Sequence, residues 1–126
     1  MNRDFGYLRV ASVSVQVRPA DVAGNAERIL DPIRRRLWDQ DGVDIVLFPE
    51  LCLTGYTCAD LFLQPQLLRQ AEAALEKILA GTAGSKTVYV VGLPLAVGAS
   101  LYNAAAVLQD GRLLGIVPKT FLPNAR

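Results

Sequence analysis

The sequence predicts an α/β fold built on a mixed sheet, and three observations carry that prediction. Helix-like and strand-like stretches alternate along most of the chain. Two of the strand-like runs, VDIVLF at 43–48 and TVYVVGLP at 87–94, are apolar nearly end to end, as in strands buried inside a sheet. Asp110-Gly111 stands between two further apolar runs, a hairpin signal that adds antiparallel strands.

The elements follow in order. Residues 7–17, YLRVASVSVQV, alternate apolar with small polar residues and predict a strand. Residues 19–40 put Ala26, Ile29, Leu30, Ile33 and Leu37 on one helical face, with either Asn25 or Asp21 as N-cap. Pro32 falls inside this pattern and predicts a kink. Asp41-Gly42 breaks the helix, and 43–48 follows as a fully buried strand. Residues 64–81 predict a second helix. Pro65 suits its first turn, Leu67, Leu68, Ala71, Leu75, Ile78 and Leu79 form its apolar stripe, and Gly81 suits its end. After the 87–94 strand, residues 103–119 form a hairpin whose second arm delivers Lys119 just past Pro118.

The order is β-α-β-α-β-β-β, without repeats or linkers, so residues 1–126 read as one partial domain with no second domain. Two helices cover one face of a sheet, which leaves the other face without cover in this chain. Composition agrees: 52% of the residues are hydrophobic and the mean hydropathy is +0.27, high for 126 residues. Either a second subunit, as in a homo-oligomer, or a missing remainder of the same protein is expected to cover that face.

Charge and residue inventory exclude several functions. Thirteen basic and 12 acidic residues give a net charge of +1, which offers no electrostatic case for a nucleic-acid or membrane partner. The run Arg34-Arg35-Arg36 is flanked by Asp31, Asp39 and Asp41 and reads as a solvated helix face. The chain has no histidine, so these residues hold no Ser-His-Asp triad, Cys-His dyad or His-ligated zinc. Cys52 and Cys58 are spaced as no metal motif is. The amino-terminal stretch has the pattern of neither a signal peptide nor a membrane span, and two thiols without secretory features fit a reducing cytoplasm.

One ionisable residue stands out. In FPELCLTGY, residues 48–56, an apolar strand runs directly into Glu50. A buried carboxylate needs a partner, because stripping its hydration is costly. Lys119 holds the corresponding place after the second hairpin arm, and only the fold can bring the two together. Strand ends are the usual place for sites in sheets of this kind. On pattern alone the structural alternative takes precedence: an ion pair, or two exposed ends that never meet.

The run FPELCLTGY, then Asp60-Leu61-Phe62-Leu63, the VVGLP strand, the LYNAAAVLQDG hairpin and Lys119-Thr120-Phe121-Leu122-Pro123-Asn124 resemble the nitrilase or carbon–nitrogen hydrolase superfamily. Within it they are most similar to the amino-terminal glutaminase domain of bacterial glutamine-dependent NAD synthetases. The resemblance implies a nitrilase-like αββα sandwich, of which this chain would hold the amino-terminal portion, and a Glu-Lys-Cys catalytic set. Glu50 would be the general base that takes the thiol proton and later hands it to departing ammonia. Lys119 would stabilise the oxyanion. The family's nucleophilic cysteine lies well downstream of the lysine, beyond Arg126, and neither Cys52 nor Cys58 stands at its position. Both read instead as small buried hydrophobes. Tyr56 resembles a tyrosine at the family's pocket mouth, its alternative being an aromatic that packs the bend. Ala125 stands where the family often has a tyrosine lining the glutamine pocket, a departure that bears on glutamine recognition.

The resemblance thus implies part of a domain that hydrolyses glutamine to supply ammonia for ATP-dependent amidation of deamido-NAD. No cofactor is expected in this chain, and ATP and magnesium only in a separate synthetase domain. The chain alone is expected to be inactive. Two other readings stay open: a single-domain amidase of the same superfamily, and a non-catalytic scaffold or interaction remnant.

Overall fold

The computed structural model describes residues 6–49, 52–54 and 65–122, the last three of these by backbone alone. The elements are β1 (Val10–Ser12), α1 (Val22–Arg34), α2 (Leu37–Gln40), β2 (Ile45–Leu47), α3 (Pro65–Gly81), β3 (Val88–Val97), β4 (Ser100–Gln109) and β5 (Arg112–Leu122). They form a single five-stranded sheet in the order β1-β2-β3-β4-β5. The first three strands are parallel, and β4 and β5 continue antiparallel from β3. This is the predicted mixed sheet with one short helix, α2, added to the expected order.

Both β-α-β crossovers step in the same direction across the sheet, so their common handedness places α1 and α3 on one face. There α1 packs against α3. Ala26, Ile29, Leu30 and Ile33 of α1 join Leu67, Ala71, Ala74 and Ile78 of α3 over Val46, Tyr89, Val91, Leu93, Ala106 and Leu108 of the sheet. The end of α3 needs glycine for its closeness to α1: a Cβ on Gly81 would lie 2.6 Å from Leu30 Cδ2.

Several boundaries differ from the sequence reading. The 7–17 strand shortens to β1, because pairing extends only over the three residues of β2 beside it. The long first helix is split. Asp21, not Asn25, is its N-cap, accepting from Gly24 N–H at 3.2 Å, whereas Asn25 is buried inside the helix. Pro32 lies within α1, and the break comes later, at Arg36, whose φ of 58° is left-handed. That conformation is fixed by carbonyls: the Arg36 guanidinium donates to Ile33 O at 3.1 Å, Gly81 O at 3.2 Å and Ala83 O. One side chain therefore caps the C-terminal ends of α1 and α3 together. The second helix and the hairpin agree with the reading, Asp110 and Gly111 having the positive φ of 49° and 73° that a tight hairpin turn demands.

The strand 43–48 was expected to be fully buried and is not. In β2 only Val46 is buried, and Leu47 is 39% exposed. The register explains this. Residues alternating with the core positions share the second face, and Val10, at 53% exposed, and Val117, at 54%, lie there with Leu47, Val90 and Val107. No described element covers this face, in line with the count of helices.

Beneath α2 a polar knot closes the other end of the parallel strands. Asp39 accepts from Ser85 Oγ at 2.7 Å and from Lys86 N–H at 2.8 Å. With its own proton committed to Asp39, Ser85 Oγ accepts from the Tyr89 hydroxyl at 2.8 Å. Tyr89 also meets Trp38 edge to face, the ring centres 6.0 Å apart. Among the described residues no helix is long and apolar enough to cross a membrane.

Candidate active site

Glu50, Tyr56, Cys58 and Ala125, all singled out in the sequence, lie outside the described residues. The chain on either side of Glu50 is described, and it is tied to β3. Phe48 N–H donates to Val90 O at 3.0 Å, and Leu53 N–H donates to Gly92 O at 3.3 Å. Phe48 before Glu50 and Leu53 after it are thus both pinned to β3, at the C-terminal end of the parallel strands.

Lys119 is exposed on β5. The β4–β5 register passes from Ala104↔Pro118 to Asn103↔Thr120, so Lys119 is the extra residue of a bulge. Bulges re-aim side chains and are common beside active sites. Gly92 pairs with Ala105, which pairs with Val117, and the next row joins Leu93, Ala104 and Pro118. These rows put Lys119 at the same height on the sheet as the 52–54 turn. Three strand spacings separate β2 from β5, about 14 Å. The structure brings the lysine and the flanks of Glu50 to one end of the sheet.

Cys52 is excluded as a substitute nucleophile. It is fully buried, and its Sγ lies 3.5 Å from Gly92 O, to which the thiol donates. Burial, the largest cause, pushes the thiol up from 9.0 to about 12. A nucleophile needs the thiolate at working pH. The packing reading of Cys52 therefore holds. Alkylation of the folded chain near neutral pH is expected to leave Cys52 unmodified until denaturant is added, as peptide mass mapping would show.

The same burial sets a pH dependence. Between 9.0 and about 12 the folded chain holds the Cys52 proton and the unfolded chain releases it. Stability should therefore fall as pH rises above the ordinary thiol range, by about 1.4 kcal/mol per unit. Tyr89, whose phenol is also raised mainly by burial, acts with the same sign. Urea midpoints for the chain and for Cys52→Ala check this, since the variant should lose less stability in the alkaline range.

Sequence reasoning missed Asn25 as part of this end of the fold. Its side chain is 2% exposed and donates to Leu53 O at 2.9 Å, reaching from α1 to the turn after Glu50. The available signal was an amide among Val22, Ala26, Ile29 and Ile33, a polar residue on a buried helical face.

Comparison with known proteins agrees with this architecture. The carbon-nitrogen hydrolase family model matches residues 9–125. Glutamine-dependent NAD(+) synthetase from Mycobacterium tuberculosis H37Rv is 40% identical over 121 residues, which is 96% of this chain and 18% of that protein. The synthetase from Xylella fastidiosa Temecula1 is 42% identical over 118 residues, 94% of this chain and 21% of its own. The crystal structure of a glutamine-dependent NAD(+) synthetase from Cytophaga hutchinsonii superposes with a TM-score of 0.80 at 32% identity, over 93% of this chain and 20% of that one. This chain therefore spans about a fifth of these synthetases, and its open mixed sheet is a nitrilase-like sheet that they share. With nearly its whole length matched, the chain belongs to the carbon–nitrogen hydrolase family.

Proposed function

We propose that this chain is the amino-terminal part of a glutamine-hydrolysing domain that supplies ammonia for amidation of deamido-NAD. The observation that carries the reading is similarity over 96% of the chain, at 40% identity, to a glutamine-dependent NAD(+) synthetase. On this reading Glu50 takes the proton of a cysteine thiol that lies outside these residues. The thiolate attacks the amide carbonyl of glutamine, and Lys119 faces the oxyanion that forms. Glu50 returns the proton to the leaving nitrogen, ammonia departs, and water hydrolyses the thioester to glutamate. The amidation that uses ATP and magnesium belongs to a further domain of the same protein. The open sheet face, with Val10, Leu47 and Val117, takes its cover from the remainder of the protein or from a second copy.

The test is NAD formation by the complete protein from deamido-NAD and ATP, with glutamine or ammonium as nitrogen source. Glutamine should support synthesis with matched release of glutamate. Synthesis from ammonium but not from glutamine would overturn the reading, and hydrolysis of small amides without any synthesis would favour a single-domain amidase. Residues 1–126 alone should release no ammonia from glutamine, because on this reading neither Cys52 nor Cys58 stands where the nucleophile does. Ammonia above the blank, lost in Cys52→Ala, would contradict this.

A further inference from the structure

Asn25 fills all four hydrogen-bonding positions of its amide, inside a helix where a polar side chain has no local need to be. Its Nδ2 donates to Arg18 O at 2.8 Å and to Leu53 O at 2.9 Å. Its Oδ1 accepts from Arg18 N–H at 2.8 Å and from the Arg28 guanidinium at 2.7 Å. Arg28 is held in turn by Gln16 O, at 2.6 Å, and lies 3.6 Å from the Asp21 carboxylate that caps α1. Alongside, Ala20 N–H donates to Thr54 O at 2.8 Å.

These bonds join three segments: the connection after β1, the first turns of α1, and the 52–54 turn. A buried amide with any partner missing would be costly, so the arrangement is held as a unit. On its other side the turn is held by Gly92 O. The turn is gripped between α1 and β3, and Asn25 is the grip on the helix side.

We propose that Asn25 is a positioning residue for amide hydrolysis, holding in place the 52–54 turn, which follows the proposed base Glu50 closely in the chain. The inference rests on Glu50 being the base of the proposed reaction. A base placed by a turn loses rate steeply when the turn shifts, since errors near 1 Å can cost about 10²-fold.

The discriminating variant is Asn25→Asp in the complete protein, which keeps the acceptor for Arg18 and Arg28 but loses both Nδ2 donors. Its kcat for glutamine hydrolysis should fall about 10- to 100-fold with KM changed less than about threefold. Amide exchange at Leu53 should quicken, while exchange at Val46 and Val91 and ammonium-dependent synthesis stay as in the wild type. A kcat within about twofold of wild type would overturn the inference and leave the proposed function standing. A wild-type protein that releases no ammonia from glutamine would overturn the proposed function, and this inference with it. Should Asn25→Asp fail to fold, Arg28→Met loosens the same amide from the helix surface and should lower kcat about tenfold at unchanged KM. An unchanged kcat in Arg28→Met would equally overturn the inference.

Discussion

Glu50→Gln in the complete protein is expected to lower glutamine hydrolysis by about 10²- to 10⁴-fold, the contribution of a placed general base. The substitution keeps the side chain's size and removes only its capacity to take a proton. The thiol would then seldom be ionised when glutamine binds, and departing ammonia would lack its proton donor. Because the change is nearly isosteric and lies after β2 rather than within it, the sheet should be undisturbed. Ammonium-dependent synthesis of NAD is the internal control. Its retention, with glutamine-dependent synthesis lost, identifies a base. Loss of both activities would assign Glu50 to folding instead, and retention of both would remove it from the site.

The second large effect concerns stability. Tyr89→Ala should destabilise the chain by about 3–5 kcal/mol, as aromatic truncations in packed cores do. Tyr89 is fully buried at the centre of the sheet, beside Trp38 and under α2. Truncation would empty the space its ring fills and withdraw the hydroxyl that donates to Ser85 Oγ. Tyr89→Phe separates the two contributions: it keeps the ring and removes one hydrogen bond, for about 1 kcal/mol. Small domains are stable by only about 5–15 kcal/mol, so Tyr89→Ala should be partly unfolded at modest urea concentrations. Equal midpoints for the two variants would show that the ring contributes nothing beyond its hydroxyl. A loss below about 1 kcal/mol in the alanine variant would show that the core collapses around the gap.

What could be read from the residues divides by range. Helix α3 was legible because Pro65 acts on its own backbone and the 3.6-residue stripe needs no distant partner. Gly81 marked its end, but its physical reason, the close approach of Leu30 on α1, was not legible. The β4–β5 hairpin was likewise legible from local signals, its turn being written in Asp110-Gly111. The break at Arg36 was not, since the carbonyls that hold the guanidinium include those of Gly81 and Ala83, far along the chain. The end of β1 at Ser12 is set by the length of β2, not by the alternation of residues 13–17. In the candidate site, the placement of Lys119 on a bulge follows from a register between strands, which sequence does not display. Asn25 was seen as a possible cap because its residue type suits one. Its partner Leu53 lies across a crossover, and only the fold discloses the link.

The strand order β1-β2-β3-β4-β5 has a consequence for how the chain acquires its shape. Every strand lies beside the one synthesised before it, so each pairing closes over the shortest connection the topology permits. The two parallel pairings, Val10 with Ile45 and Ile45 with Val88, each close a long crossover, whereas the hairpin closes locally, so the entropic cost falls on the first two steps. As the chain leaves the ribosome from its N-terminus, β2 can dock on β1 with α1 already laid across them. Next β3 can dock with α3, and the hairpin then zips on by a local turn. No strand has to wait for one translated later. The sheet can thus be assembled in the order of translation, with its helix-covered face sealed first and the side bearing Val10, Leu47 and Val117 left as the last to dry.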